Sequence, residues 1–427
     1  MHPNALLDLA TELLREVLKL DQPADSVVSA FFRANRGLGL RERHTLAETT
    51  YTVLRRRLLL LHLAQLDGDL PPRAGGSPLA RRLAILGWQG NDGFLRAALD
   101  EHEQNWLARA QAIKSDNLAA KLRHNLPDWL SNPLQEVLGR EFWPLVKALD
   151  GPAPMDLRVN VLQMKREEAQ AALAEAGITA TPTPYSPWGL RIDGKPALNQ
   201  LQLFKDGAVE VQDEGSQLLA LLTDPKRGEM VVDFCAGAGG KTLALGAMMR
   251  NTGRLYAFDT SGHRLAALKP RLARSGLSNV HPAQIAHERD DRVKRLAGKI
   301  DRVLVDAPCS GLGTLRRNPD LKWRMSPKAI DELQIKQQAI LAGAARLLKP
   351  GGRLVYATCS LLAAENEAVA AAFNAERTGD FEPLPAADLL TAAHVAGAEA
   401  LCEGPHLRLW PQRHHTDGFF AAVWRKR

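Results

Sequence analysis

Two short motifs in this chain carry residues suited to covalent chemistry. Asp306-Ala307-Pro308-Cys309-Ser310 and Thr358-Cys359-Ser360 each place a cysteine just after an apolar run: Arg302-Val303-Leu304-Val305 before the first, Arg353-Leu354-Val355-Tyr356-Ala357 before the second. Such runs predict buried parallel strands. In open α/β sheets, ligands bind at the carboxyl ends of the strands. The two thiols are therefore expected in one crevice, with the Asp306 carboxylate beside the first. A thiolate is a nucleophile, and two thiols with an acid suit attack on an electrophilic ring. A cysteine met at random is most often a core residue, and a disulfide or half a metal site are its other common uses. Pro-Cys-Ser and Thr-Cys-Ser are instead polar strand exits. None of the four cysteines falls in a C-x-x-C pair, so no structural zinc or other metal is expected.

A third motif points to a nucleotide-like ligand. A strand over Met230–Phe234 runs into Cys235-Ala236-Gly237-Ala238-Gly239-Gly240-Lys241-Thr242, followed by a helix to about Met249. Glycines let the backbone turn sharply and lie against a ligand, and the helix start offers free amides. A P-loop needs glycine five positions before Gly240, where Cys235 stands. A dinucleotide fingerprint needs a third glycine or alanine, where Thr242 stands. That leaves S-adenosylmethionine, whose binding turn needs glycines but no phosphate cradle. A second strand, Arg254–Phe258, ends in Asp259, about 20 residues past the glycines, where a carboxylate suits two ribose hydroxyls. Asp259 could equally cap the helix that follows it. Arg264, in that helix, is grouped with the expected cofactor residues.

These motifs need a doubly wound sheet to position them. From about residue 201 onward, strand and helix patterns alternate at the lengths such a sheet requires. Strands are expected at Met230–Phe234, Arg254–Phe258, Val280–Ile285, Arg302–Val305 and Arg353–Ala357, with two more near Leu407–Leu409 and Phe419–Trp424. Residues 1–150 read as all helix: Leu6, Leu9, Ala10, Leu13 and Val17 recur at helical spacing, and a second helix is expected from about Arg41 to Leu63. A linker at Leu149–Pro154 leads to a small α/β unit over 151–200. Its expected parts are a strand at Leu157–Asn160, a helix at Glu167–Ala176, and strands at Ile178–Thr181 and Gly189–Ile192. The fold class is thus α/β: a Rossmann-like catalytic domain over 201–427, preceded by a small α/β subdomain and a helical domain.

Composition agrees with several domains. At 427 residues the chain should hold two or three, and 45% hydrophobic content is ample for their cores. A net charge of +7 favours a polyanionic partner, nucleic acid being the natural choice. Arg55-Arg56-Arg57 and Arg316, Arg317 and Lys322 are the candidate phosphate contacts, with a solvated face as the plainer alternative. The most apolar stretch, Leu58–Leu63, is far too short to span a bilayer, and there is no signal-peptide core. A cytoplasmic monomer with reduced cysteines is expected.

The motifs together resemble the RNA (cytosine-5) methyltransferases of the RsmB/Sun group. The resemblance rests on Asp233–Thr242, Asp306–Gly311, Arg316-Arg317-Asn318-Pro319-Asp320 with Lys322-Trp323, Tyr356–Ser360 with Glu365-Asn366-Glu367, and Asp417-Gly418-Phe419-Phe420. It covers roughly residues 150–427, and the helical region is similar in placement to a NusB-like RNA-binding domain. The resemblance implies that Cys359 attacks C6 of cytosine and that Cys309 assists the later release. It further implies that Asp306 binds the ring and that S-adenosylmethionine lies along the Cys235–Lys241 turn. A cation such as Lys241 or Arg316 is expected to lower the pKa of Cys359. Ribosomal RNA is the expected substrate, with transfer RNA methylation or an RNA-binding assembly role as rivals. A DNA cytosine methyltransferase would lack the Thr-Cys-Ser partner. The chain departs from the family at Ala238, where proline is usual, and after the third strand, where an adenine-binding aspartate is usual. There the chain carries Ala286 or His287, with Glu288, Asp290 or a backbone amide as substitutes.

Overall fold

The computed structural model describes residues 1–66, 78–194 and 196–427. Two compact units emerge: Met1–Gly151 together with Leu315–Ser326, and Pro152–Thr314 together with Pro327–Arg427. No described helix is long and apolar enough to cross a membrane.

The first unit is helical, as its periodicity predicts. Pro3–Val17 turns Leu6, Leu7, Ala10, Leu13, Leu14 and Val17 inward, onto a core that also holds Leu46, Val53, Leu83 and Trp106. The helix expected over 41–63 is in fact two, Leu40–Arg55 and Arg57–Ala64, with Arg56 at φ −111° between them. The cause is a segment remote in sequence. The Trp323 indole donates to the Leu54 carbonyl at 2.7 Å, and Lys322 Nζ donates to the Arg55 carbonyl at 2.8 Å. Leu59 N–H donates to Asn125 Oδ1 at 3.0 Å. A helix end leaves its last carbonyls without partners, and here a returning loop supplies them.

The second unit opens with a small antiparallel sheet of order β2-β3-β1-β4, made of β1 (Met155–Val159), β2 (Ala180–Pro182), β3 (Gly189–Ile192) and β4 (Val209–Val211). Helix Arg166–Glu175 sends Ala169 and Leu173 against Leu157, Val159 and Leu190. This sheet extends past residue 200, since β4 pairs with β1 through Leu157↔Val211 and Val159↔Val209. Three residues with so little alternation carry no clear strand signal, and only the pairing reveals them.

The large sheet contains β5 (Met230–Asp233), β6 (Arg254–Asp259), β7 (Val280–Gln284), β8 (Ile300–Asp306), β9 (Leu348–Thr358), β10 (Phe381–Leu384), β11 (Cys402–Glu403), β12 (His406–Leu409) and β13 (Phe419–Lys426). Its order is β11-β12-β13-β9-β8-β5-β6-β7, with β10 also on β13. Strands β5 to β9 pair in parallel, and β13 runs antiparallel to β9. Successive strand residues face opposite sides: Val231, Leu304 and Val355 enter one apolar layer, Val232, Val303 and Leu354 the other. With helices on both faces, the central residues of β5, β8 and β9 are apolar and buried, and they read as strands in the sequence; β7, Val280–Gln284, is largely exposed. The chain reverses its direction of travel across the sheet between β5 and β8, and that switch point lies where the motifs end.

Candidate active site

Each strand from β5 to β9, β7 apart, delivers one motif at its carboxyl end. The turn after β5 holds Gly237 at φ +56° and Gly239 at φ +82°, both in the left-handed region that only glycine enters cheaply. A Cβ at Gly237 would meet nothing within 4 Å, so that backbone lies open to a ligand. The last residue of β6, Asp259, accepts from Gly237 N–H at 2.8 Å and from Ser261 N–H at 2.7 Å. It ties the turn to the next strand while most of its carboxylate is buried. Asp233 accepts from Thr242 Oγ1 at 2.7 Å, and its other oxygen is buried with no partner. Burial pushes the Asp233 carboxyl up to about 7, Asp306 and Asp259 adding to the rise and Thr242 and Lys241 opposing it. The Cys235 thiol is pushed well up, by burial and then by the same three carboxylates.

Lys241 Nζ meets Asp306 Oδ2 at 2.7 Å. Burial works against its charge, but Asp306, with smaller contributions from Cys359 and Asp233, raises its pKa above the ordinary value. The ammonium is therefore held charged in the same site as Cys359.

The two thiols meet: Cys309 Sγ and Cys359 Sγ lie 3.4 Å apart. The Cys309 thiol is pushed well above its ordinary pKa, first by the bond to Cys359, then by burial and by the charges of Cys359 and Glu365. Cys309 thus keeps its proton while Cys359 is its partner.

A buried carboxylate that the motif reading left without a role holds both cysteine loops. Glu365 has no exposed surface. It accepts from Ser310 N–H at 2.8 Å, from Ser310 Oγ at 2.5 Å, from Ser360 Oγ at 2.5 Å and from Gln337 Nε2 at 3.0 Å. Gln337 also donates to the Pro308 carbonyl at 3.0 Å. From β12, Arg408 donates to the carbonyls of Ser360 and Leu361 at 3.2 and 2.8 Å. Its sequence signal is its place in the Glu365-Asn366-Glu367 run that accompanies the Thr-Cys-Ser motif, which gives it no role of its own. Gly313 completes the support: its N–H donates to the Cys359 carbonyl at 2.8 Å and its carbonyl accepts from Gly418 N–H at 2.9 Å. A Cβ there would overlap the Gly418 and Cys359 carbonyls. Gly313→Ala is expected to lower stability by about 2–3 kcal/mol, an overpacking cost, read from chemical denaturation, and to displace Cys359. An unchanged midpoint would show that this contact relaxes freely.

Other expected residues sit differently. Arg316, Arg317 and Lys322 belong to the helical unit, not to the unit that carries the cysteines. Lys322 is buried, and burial pushes its pKa down to about 7. The Arg264 side chain is exposed, and its backbone N–H is capped by Ser261 Oγ at 3.3 Å. After β7, the Ala286 N–H donates to Asp290 at 2.9 Å, so this carboxylate is turned back onto the backbone, and Glu288 is paired with Arg289. Among the described residues no group of three or more acidic, histidine or cysteine side chains could hold a metal ion.

Residues 220–425 match the family described as 16S rRNA methyltransferase RsmB/F, and residues 126–199 match the ferredoxin-like domain of RsmF/B-like methyltransferases. A Synechocystis protein named probable ribosomal RNA small subunit methyltransferase B is 35% identical over 379 residues, 87% of this chain and 83% of its own length. The chain belongs to this RsmB/F ribosomal RNA methyltransferase family. Ribosomal RNA small subunit methyltransferase B of Sodalis glossinidius is similarly related, 32% identical over 86% of this chain and 80% of its own. Among solved structures, a methyltransferase homolog protein from Pyrococcus horikoshii is 29% identical with a TM-score of 0.62, covering 74% of this chain and all of that one. The RsmB/F match runs from helix Glu214–Thr223 into β13 and so includes all four strand-end motifs. The ferredoxin-like match includes β1 to β3.

Proposed function

We propose that this RsmB/F-family protein methylates C5 of a cytosine in ribosomal RNA, using S-adenosylmethionine and a covalent bond from Cys359 to C6 of the ring. The observation that carries the reading is the pair of thiols 3.4 Å apart at the ends of adjacent parallel strands, with the Asp306–Lys241 pair beside them.

The residues present fit the cofactor. Asp233, Asp259 and Asp306 act together on the turn, offset by Lys241. A surplus of negative charge repels phosphate and attracts a cation, and S-adenosylmethionine carries a sulfonium and an ammonium. A cation there would also stabilise the charged form of Asp233. Asp259 would hold the ribose, and the open Gly237 backbone would lie against the ligand. S-adenosylmethionine supplies an electrophilic methyl group.

Cytosine C5 is too weak a nucleophile to accept a methyl group unaided. Cys359 adds to C6, and the electrons of the C5–C6 double bond become available at C5. Asp306, held by Lys241, accepts from the exocyclic amine and from N3–H once N3 has taken up the proton given up by the Cys359 thiol, so that the adduct is left neutral. After methylation, Cys309 removes the C5 proton, the double bond re-forms, and the bond from Cys359 to C6 breaks. The thiol pair explains the order of events. While Cys359 is free, it holds the proton on Cys309. Once Cys359 is a neutral thioether, the largest influence raising the Cys309 pKa is gone; Cys309 releases its proton to water and, as a thiolate, takes the C5 proton while the Cys359 thiolate leaves C6.

Bisulfite sequencing of total RNA from a deletion strain should lose one protected cytosine in the small-subunit RNA. Full retention of every protected site would sink the reading. Asp259→Ala should weaken S-adenosylmethionine binding roughly tenfold or more, since a bond to a charged group contributes about 1.5–3 kcal/mol. Calorimetric titration with unchanged affinity would remove Asp259 from the ribose.

A further inference from the structure

The helical unit contains a cavity of about 590 Å³ outside the catalytic unit. It is built where helices Leu40–Arg55, Ala120–His124 and Phe142–Asp150 meet the returning segment Leu315–Lys322. Its wall carries Arg55, Arg56, Arg123, Lys147 and Lys322 against Asp116 and Asp150. Asp150 is already engaged, receiving Arg56 at 2.5 and 3.1 Å. The remaining cations face a space with little acid in it. Arg55 donates one guanidinium nitrogen to the Arg316 carbonyl at 3.0 Å, while its Nε is buried with no partner. Lys322 is buried at the floor, bonded to a backbone carbonyl.

The same wall carries an exposed aromatic. Trp143 is 40% exposed, and the Arg123 guanidinium lies 4.6 Å from its ring. The His124 ring lies 5.6 Å from Phe142 and 6.2 Å from Trp143, tilted 49° to the indole. An exposed tryptophan costs solvation that a surface residue need not incur. Cations alone would suit any polyanion, and an aromatic alone any apolar group. The two together suit a nucleotide: a planar base for Trp143 and Arg123, and phosphates for Lys147, Arg55 and Lys322.

We propose that this cavity binds one unpaired nucleotide of a single-stranded RNA segment, its base stacked against the Trp143–Arg123 pair and its flanking phosphates held by Lys147, Arg55 and Lys322. The site rests on the reading of the protein as an RNA methyltransferase, and it names where in the helical unit that RNA is held.

Trp143 and Lys147 are both exposed, so their replacement should leave the fold intact, checked by thermal melting. The full chain, Trp143→Ala and Lys147→Glu are titrated against a labelled 20-nucleotide single-stranded RNA by fluorescence anisotropy at several salt concentrations. Loss of one stacked base should weaken binding about tenfold. Lys147→Glu should weaken it at least about fivefold and reduce the log–log salt slope by about 0.7 or more. Wild-type affinity in both variants overturns the site. A response of Lys147→Glu alone overturns the stacked base and leaves a phosphate surface. Competition by adenosine monophosphate as strong as by the oligonucleotide overturns RNA as the occupant. Methyl transfer from labelled S-adenosylmethionine to small-subunit RNA is measured in parallel. Its absence in the wild type would refute the enzymatic reading without touching the binding result.

Discussion

Cys359→Ala is expected to abolish methylation, by at least about 10⁴-fold, while leaving RNA binding close to normal. Removing the nucleophile of a covalent mechanism removes the path itself rather than one stabilising contact, and losses of this size or larger are usual. Cys309→Ala is expected to behave differently. Cys359 can still add to C6, and the ring can still be methylated. The C5 proton then has no base within reach of the former thiol pair, so the thioether persists. A protein–RNA adduct should accumulate as a slow band on a denaturing gel, and the double variant should show none. The asymmetry follows from the 3.4 Å contact that keeps Cys309 protonated until Cys359 has reacted. An adduct with Cys359→Ala and none with Cys309→Ala would reverse the two roles.

Glu365→Ala should be nearly as damaging, by another route. The carboxylate satisfies four donors from three elements: two on Ser310, one on Ser360 and one on Gln337. Each buried donor left without a partner costs about 1–3 kcal/mol, and water in the vacated space would recover part of that. A loss on the order of 3–5 kcal/mol of stability is expected, in the range reserved for broken buried networks. Activity should fall further than stability requires, because Ser310 and Ser360 each follow a cysteine directly. Glu365→Gln separates the two effects. It keeps the volume and one acceptor but turns a donor toward the serine hydroxyls, so the chain should fold with both cysteines misplaced. Slow adduct formation in a folded Glu365→Gln protein is the expected signature. A folded variant with wild-type turnover would show that the cysteine loops hold their own geometry.

The sequence by itself determined the main strands of the sheet and the motifs that stand at their ends. Cys309, Cys359, Asp306, the Cys235–Lys241 turn and Asp259 all follow strands buried on both faces. The residues leading into each exit are a short apolar run, so strand, exit and motif can be read from the order of residue types alone. Relatives sharing about a third of their residues over most of the chain place it in the RsmB/F family.

What the tertiary structure decided lies in pairings between distant segments. Val209–Val211 is a strand because Leu157 and Val159 pair with it. The helix through Arg55 ends because Lys322 and Trp323, more than 260 residues later, take its last carbonyls. That return places Arg316, Arg317 and Lys322 in the helical unit, although they follow Cys309 closely in sequence. Glu365 reads as one more acid near a motif until its four donors converge on it. In each case the energy comes from hydrogen bonds whose partners are far apart along the chain. Local propensity and periodicity report only on neighbours within a few residues, so these contacts become visible only once the chain is folded.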